Sequence, residues 1–279
     1  MFKIFDSEKF NLLKNETIFH FRNISVIVKK EINHYFVSFI AYVILFVFLL
    51  VGGYYYYIYI YEVRDAARVM PYYLNFMGFI SFLLTPFITM RLFSEEKKSG
   101  TIELLLTAPL TETEIILGKF LGALLLYLIY VSFTIYYVII LSIFGKPDFG
   151  PIISGYIGFI LLEMSYISVG LLISLTTENQ IVSGILTLIA LLLFWIIGWI
   201  GSYFNKPIQD ILQYLSFLKH YEDFPKGVID TKHIIFYLSV IWLNLFLAVR
   251  FLESRKAISK GKVIVPVNLP ISKEKSFNN

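Results

Sequence analysis

Glu163 stands in GFILLEMSYISVG, where it is the only charged residue. A carboxylate in hydrocarbon costs about 3 kcal/mol unless it is protonated, paired or facing water. Such a group can bind a proton or a cation. It can also sit protonated and hydrogen-bonded to a neighbouring helix, through Ser165 or Tyr166 of a partner. No second intramembrane acid or base accompanies it, so a relay has no other member.

Other chemistries lack their groups. With no cysteine in 279 residues, disulfides, thiolate metal sites and cysteine nucleophiles are excluded. The four histidines, His20, His34, His220 and His233, are scattered and form no ligand set in the sequence. Gly118-Lys119 lacks the upstream glycine and the following hydroxyl of a phosphate-binding loop. Neither G-x-S-x-G nor H-E-x-x-H occurs. The chain is expected to carry no catalytic, cofactor or metal site of its own, and a membrane-enzyme reading has no constellation to rest on.

The elements that hold these residues are apolar. The chain is 57% hydrophobic, 18% aromatic and only 16% charged, with a mean hydropathy of +0.72. A soluble domain carries roughly 25% charged residues. The deficit is gathered in long runs, which points to an all-α polytopic membrane protein. Six segments reach the roughly 20 apolar residues that a span needs: 35–61, 71–93, 115–144, 152–175, 181–201 and 233–252. They leave a polar N-terminal segment, 1–34, and a tail, 253–279. The N-terminal segment does not read as a cleavable signal, because its first apolar run comes late.

Lysine and arginine set the orientation. The N-terminal segment carries Lys3, Lys9, Lys14, Arg22, Lys29 and Lys30. The loop after the second span carries Arg91, Lys97 and Lys98, and the tail carries seven more basic residues from Arg250 to Lys275. The first loop has only Arg64 and Arg68, and the third only Lys146. Both termini and the second loop are expected on the cytoplasmic side, of the inner or plasma membrane. The net charge of +4 then reflects topology, and nucleic acid is not an expected partner. Asn23–Asn33 reads as an interfacial helix with its lysines toward lipid headgroups. Tyr54–Tyr61 reads as an outer-leaflet anchor or as part of a substrate path, and Trp195 and Trp199 lie near the outer end of the fifth span. Ile208, Ile211, Leu212, Leu215 and Leu218 predict short outer helices between the fifth and sixth spans. GKFLG, Gly118–Gly122, fits close helix packing, within the chain or between copies.

The second loop is too ordered for a passive connector. Ser94 can cap a short helix through EEKK, Gly100 breaks it, and Thr101 can cap IELLLTA. Pro109 ends that helix, and Thr111-x-x-Glu114 is a capping box before the third span. Ile102, Leu104, Leu105 and Leu106 make a dense apolar cluster beside Glu103, which calls for a partner surface. The mixed charges of Glu95, Glu96, Lys97, Lys98 and Glu103 favour a protein over lipid alone.

The run PFITMRLFSEEKKSGTIELLLTAPLTETEIILGKFLGALL closely resembles ABC-2 type transporter permeases, in the branch with gliding-motility and nitrous-oxide-accessory permeases. HYFVSFIAYVILFVFLLVGGY, ISLTTENQIVSGILTLIALLLFWIIGW and LQYLSFLKHYEDFPKGVIDTKHIIFYLSVIWLNLFL extend the likeness from about Asn23 to Lys256. The resemblance implies that the second loop holds a coupling helix that docks on a separate ATP-binding cassette subunit, which binds ATP and Mg²⁺. The residues it singles out are Glu95, Glu96, Gly100, Thr101, Glu103 and Pro109, with Glu95, Glu96 and Glu103 paired to basic groups of the ATPase. Thr177, Glu178 and Asn179 of the TTENQ loop would make a smaller second contact. Six spans imply half of a transporter, completed by a second copy or a paralogue, and export. Glu163 departs from the small or apolar residue expected there, and the tail after Lys256 has no counterpart. Two alternatives stand beside this. One is a membrane platform that recruits an ATPase for envelope or motility machinery. The other is a proton-coupled carrier using Glu163.

Overall fold

The computed structural model describes the backbone of residues 2–63 and 65–262, with side chains from 20 to 63 and from 65 to 257. The N-terminal lysines up to Lys14, Arg64 and the VIVPVNLP stretch lie outside the described side chains. The chain is all-helical, with no strand among the described residues. In hydrocarbon this is the way a single chain segment satisfies its own backbone polar groups.

Six helices are long and apolar enough to cross a membrane. They are α2 (Phe39–Val63), α3 (Ala66–Thr89), α6 (Glu112–Phe144), α7 (Phe149–Thr176), α8 (Gln180–Gly201) and α11 (Thr231–Lys262). Ahead of them runs α1 (Phe2–Val37). Between α3 and α6 lie α4 (Ser94–Lys98) and α5 (Ile102–Thr107). Between α8 and α11 lie α9 (Lys206–Tyr214), α10 (Phe217–Tyr221) and a 3₁₀ turn at Phe224–Lys226.

Several expected boundaries move. The first span starts at Phe39, because the helix breaks at Ser38 and Tyr35 belongs to α1. The second begins ahead of Pro71, at Ala66, where the Asp65 carboxylate accepts from the Ala67 N–H at 3.1 Å. Pro71 lies inside α3 as its sixth residue, and without an N–H it cannot donate to the Ala67 carbonyl one turn back. The tail is helical through Lys262. The predicted capping box forms: the Thr111 hydroxyl accepts from the Glu114 N–H at 3.3 Å, and the Thr111 N–H donates to Glu114 Oε2 at 2.7 Å. Asp148 and Asn179 cap α7 and α8 by accepting from the Gly150 and Ile181 N–H groups.

Packing sorts the spans into a centre and a ring. α3 and α7 have 61% and 67% of their most apolar stretch enclosed, against 17–39% for the other four. They lie against each other, with α2, α6, α8 and α11 around them. The tyrosine run divides by face. Tyr54, Tyr57 and Tyr61 point outward, while Tyr55 stacks on Phe76 and Tyr56 stacks on Tyr137. Trp195 likewise packs inward on Phe79 and Phe82, and Trp199 stays exposed.

The segment between α8 and α11 seats large rings against bare backbone. Tyr221 lies over Gly78 of α3 and Phe224 over Gly158 of α7. A Cβ at Gly78 would fall 2.6 Å from the Tyr221 ring. Tyr221 donates to the Leu74 carbonyl at 2.8 Å, and Ser154 donates to the Phe224 carbonyl at 2.7 Å. The Leu74 and Phe224 carbonyls are thus satisfied within the protein. Gly158→Leu is expected to overpack this socket and cost about 1–3 kcal/mol. The check is a lower midpoint in a thermal unfolding scan in detergent, with Gly53→Ala, whose contacts are looser, as the comparison.

Candidate functional site

The loop between α3 and α6 is assembled from the residues singled out in the sequence, but their partners differ from those expected. Ser94 does not cap α4. It is the first helical residue, and its hydroxyl donates to the Ser174 carbonyl of α7 at 3.2 Å. Lys97 is buried and donates to the Leu175 carbonyl. The last carbonyls of a helix have no intrahelical donor and carry its negative dipole end, so an ammonium fits there. α4 is therefore pinned on the end of α7. Thr177 meets the Ser94 hydroxyl at 3.3 Å, so the TTENQ loop lies beside α4. Asn179 is occupied as the cap of α8, and Glu178 is exposed.

Glu95 and Glu96, expected to face a partner, have partners within the chain. Glu95 lies 3.4 Å from His34 Nε2. Glu96 Oε1 accepts from Lys30 at 3.0 Å, and Glu96 Oε2 is 3.1 Å from Lys119 Nζ. Lys119 is the centre of the arrangement and is 2% exposed. It donates to Glu31 Oε1 at 2.8 Å and to the Leu92 carbonyl at 2.6 Å. It also sits 4.9 Å from the centre of the Phe93 ring. Two hydrogen bonds and one further ion pair thus converge on it. α1, α6 and α4 meet on one ammonium.

α1 reaches this point because α6 is bare there. Gly118 and Gly122 lie under Ile27 and Glu31, and a Cβ at either would fall 2.6 or 2.7 Å from those side chains. The GKFLG pattern is therefore packing within the chain. One turn earlier, Glu114 accepts from Asn23 at 2.9 Å and contacts His20 Nδ1 at 2.7 Å. Of the two α1 lysines expected to face lipid, Lys30 is paired to Glu96 and Lys29 is exposed.

Gly100 adopts φ +71°, the left-handed conformation that favours glycine, and turns the chain from α4 into α5. Thr101 occupies the N-cap position without capping α5; its hydroxyl lies within 3.4 Å of the Glu96 carbonyl. The apolar cluster of α5 is split. Ile102 and Leu106 are buried against the chain, while Leu104 is 72% exposed beside exposed Glu103, Thr107 and Pro109.

Glu163 is fully buried on α7, and its Oε2 lies 3.0 Å from the Thr85 hydroxyl of α3. Its partner is thus within the chain, and Ser165 turns instead to the Leu161 carbonyl at 3.1 Å. No group of three or more His, Cys, Asp or Glu that could hold a metal occurs among the described residues. The histidines are not all scattered, however: His220 and His233 meet at 2.7 Å.

A family model described as ABC-2 family transporter protein matches residues 64–252, more than half of the chain. The chain belongs to the ABC-2 family. No curated protein matches it. It is a multi-pass membrane protein and a transporter permease component. The ABC-2 match takes in both Glu96 and Lys119 but leaves out α1, which supplies Lys30 and Glu31. Sequence reasoning missed Lys119, Glu31 and Glu114 as partners, since nothing local links positions 88 residues apart.

Removing one member of a buried ion pair costs about 3–5 kcal/mol, because the other charge is stranded. Lys119→Met is therefore expected to lower the thermal midpoint in detergent sharply. Adding Glu31→Gln to Lys119→Met should recover part of the loss, and the two effects should be non-additive in a double-mutant cycle.

Proposed function

We infer that this chain is the membrane half of an ABC-2 exporter and that α5 is its coupling helix. The observation that carries this is a short helix braced on one side and bare on the other. Ile102 and Leu106 are packed beneath it, and α4 behind it is tied to α1, α6 and α7. Thr101, Glu103, Leu104, Thr107 and Pro109 are left outward. One apolar anchor with a carboxylate and hydroxyls around it suits a groove on a soluble protein.

The partner is a separate cassette ATPase, which binds the ATP and Mg²⁺. Two membrane halves, copies or paralogues, form the pathway. Within the family, the resemblance is to the branch with gliding-motility and nitrous-oxide-accessory permeases. The excess of lysine and arginine at the termini and in the α4–α5 loop supports a cytoplasmic placement of both, in the inner or plasma membrane. Glu103 keeps its docking role and Leu104 joins it, while the Glu95 and Glu96 carboxylates also lie against groups within the chain. Glu178 is exposed next to α4 and suits the smaller second contact. Closure of the ATPase pair would move α5, and the ties of α4 would pass that movement to α6 and α7.

The test is co-expression with cassette ATPases of the same genome, followed by purification and hydrolysis assays in lipid nanodiscs. Leu104→Arg and Glu103→Arg should abolish co-purification of the ATPase, by tenfold or more for Leu104→Arg. Gly100→Pro should retain the spans but lose stimulated hydrolysis, since proline cannot adopt φ +71°. Retention and stimulation at the unaltered level in all three variants would refute the coupling-helix assignment.

A further inference from the structure

At the end of the bundle away from α5, two buried imidazoles form a chain of contacts. His220 Nε2 lies 2.8 Å from the Tyr214 carbonyl. His220 Nδ1 lies 2.7 Å from His233 Nδ1. His233 Nε2 lies 3.2 Å from Asp223 Oδ2. Each histidine is 3% exposed.

The protons can be counted. A carbonyl and a carboxylate only accept, so both Nε2 atoms carry hydrogen. The contact between the two Nδ1 atoms needs one hydrogen and has room for one. Three protons on four nitrogens make one ring neutral and the other an imidazolium. His220 is the neutral ring. His220 is stacked on Phe236 at 3.9 Å between ring centres, with Tyr214 edge-on at 5.1 Å. Burial pushes the His220 pKa down, and His233 and Lys232 push the same way against the Tyr214 carbonyl and Asp223. Burial would raise the Asp223 carboxyl, but hydrogen bonds from Lys226 and His233 outweigh it and hold it below the usual range. The remaining charges around the cluster are paired off: Lys232 with Asp230 at 2.9 Å, and Lys219 with Glu222 at 3.9 Å. The Tyr237 hydroxyl of α11 is turned to the Phe217 carbonyl.

This chain of contacts joins the end of α9, α10, the turn at Asp223 and the start of α11. The same segment carries Phe217, Tyr221 and Phe224, all buried in the bundle. A fourth proton would set two N–H groups against each other across 2.7 Å, with no acceptor between them.

We propose that His220, His233 and Asp223 are a pH latch that seats the α9–α10 segment on the bundle, and that acidification at that face releases it. The sign follows from burial. His220 is neutral in the seated state, so its contribution is complete above the ordinary histidine value of about 6.5. It is lost as the pH falls through the depressed value. With the basic termini cytoplasmic, the latch faces the opposite compartment.

Ring-¹⁵N-histidine magnetic resonance on the whole chain in nanodiscs reads the protons directly, with signals assigned through His220→Gln and His233→Gln. In the seated state the two rings should together show three protonated nitrogens. The chain has no native cysteine, so nitroxides on Asp210→Cys and Lys146→Cys report the separation of α9 from the α6–α7 turn. A second, longer distance population should grow as His220 gains its proton. In His220→Gln the distance should not respond to acid. If His220→Gln is unseated at every pH, the native chain still decides. Two neutral rings at neutral pH, or protonation of His220 without a change in distance, would overturn the latch.

Discussion

The structure depends on one ammonium placed where water does not reach. Lys119 is costly to bury alone, and its position is tenable because Glu31, Glu96 and the Leu92 carbonyl surround it. Each partner comes from a different part of the chain. Glu31 comes from the helix ahead of the spans and Glu96 from the loop between α3 and α6, while Lys119 itself belongs to a span. None of the three can shift far without stranding a charge in a poorly solvated site. The α4–α5 loop thus behaves as an extension of the spans. The second anchor, Lys97 and Ser94 on the last carbonyls of α7, ties the same loop to the most enclosed helix.

The two ends of the bundle are built by different means. At the α5 end, charges fix the geometry. At the other end, aromatic rings set on glycines do so, with a small buried polar cluster over them. α3 and α7 run between the two and carry contacts from both. Tyr221 and Phe224 bear on their far halves, and α4 bears on the end of α7. A displacement of α4 therefore has a packed route along α7 toward the α10 segment.

What the sequence disclosed followed local rules. Six apolar runs became six candidate spans, because hydrocarbon demands length and helicity whatever the neighbours. The Thr111–Glu114 box and the turn at Gly100 were legible, because a cap and a left-handed residue are decided within four positions. Ser94 and Thr101 were also read as caps, and there tertiary contacts won: Ser94 was drawn to the end of α7. Glu95 and Glu96 looked like partner-facing acids because the groups they meet lie on α1 and α6. The pairing of His220 with His233 was hidden for a related reason. A thirteen-residue separation across a turn and two short elements has no period to betray it. Glu163 was visible as an anomaly, but Thr85, 78 positions away, was not visible as its partner.

The account rests on the loop being rigidly joined to the spans through Lys119, and one distance tests that directly. Nitroxides at Thr107→Cys on α5 and Ile181→Cys at the start of α8 span the joint from exposed positions. Glu96→Gln removes the loop's charge from Lys119 and leaves the pair with Glu31 in place. In nanodiscs, the chain with Glu96 intact should give one narrow distance distribution, and Glu96→Gln should broaden it or add a second population. An equally narrow, unshifted distribution in Glu96→Gln would mean that the loop is held by other contacts, and the central role of Lys119 would fall.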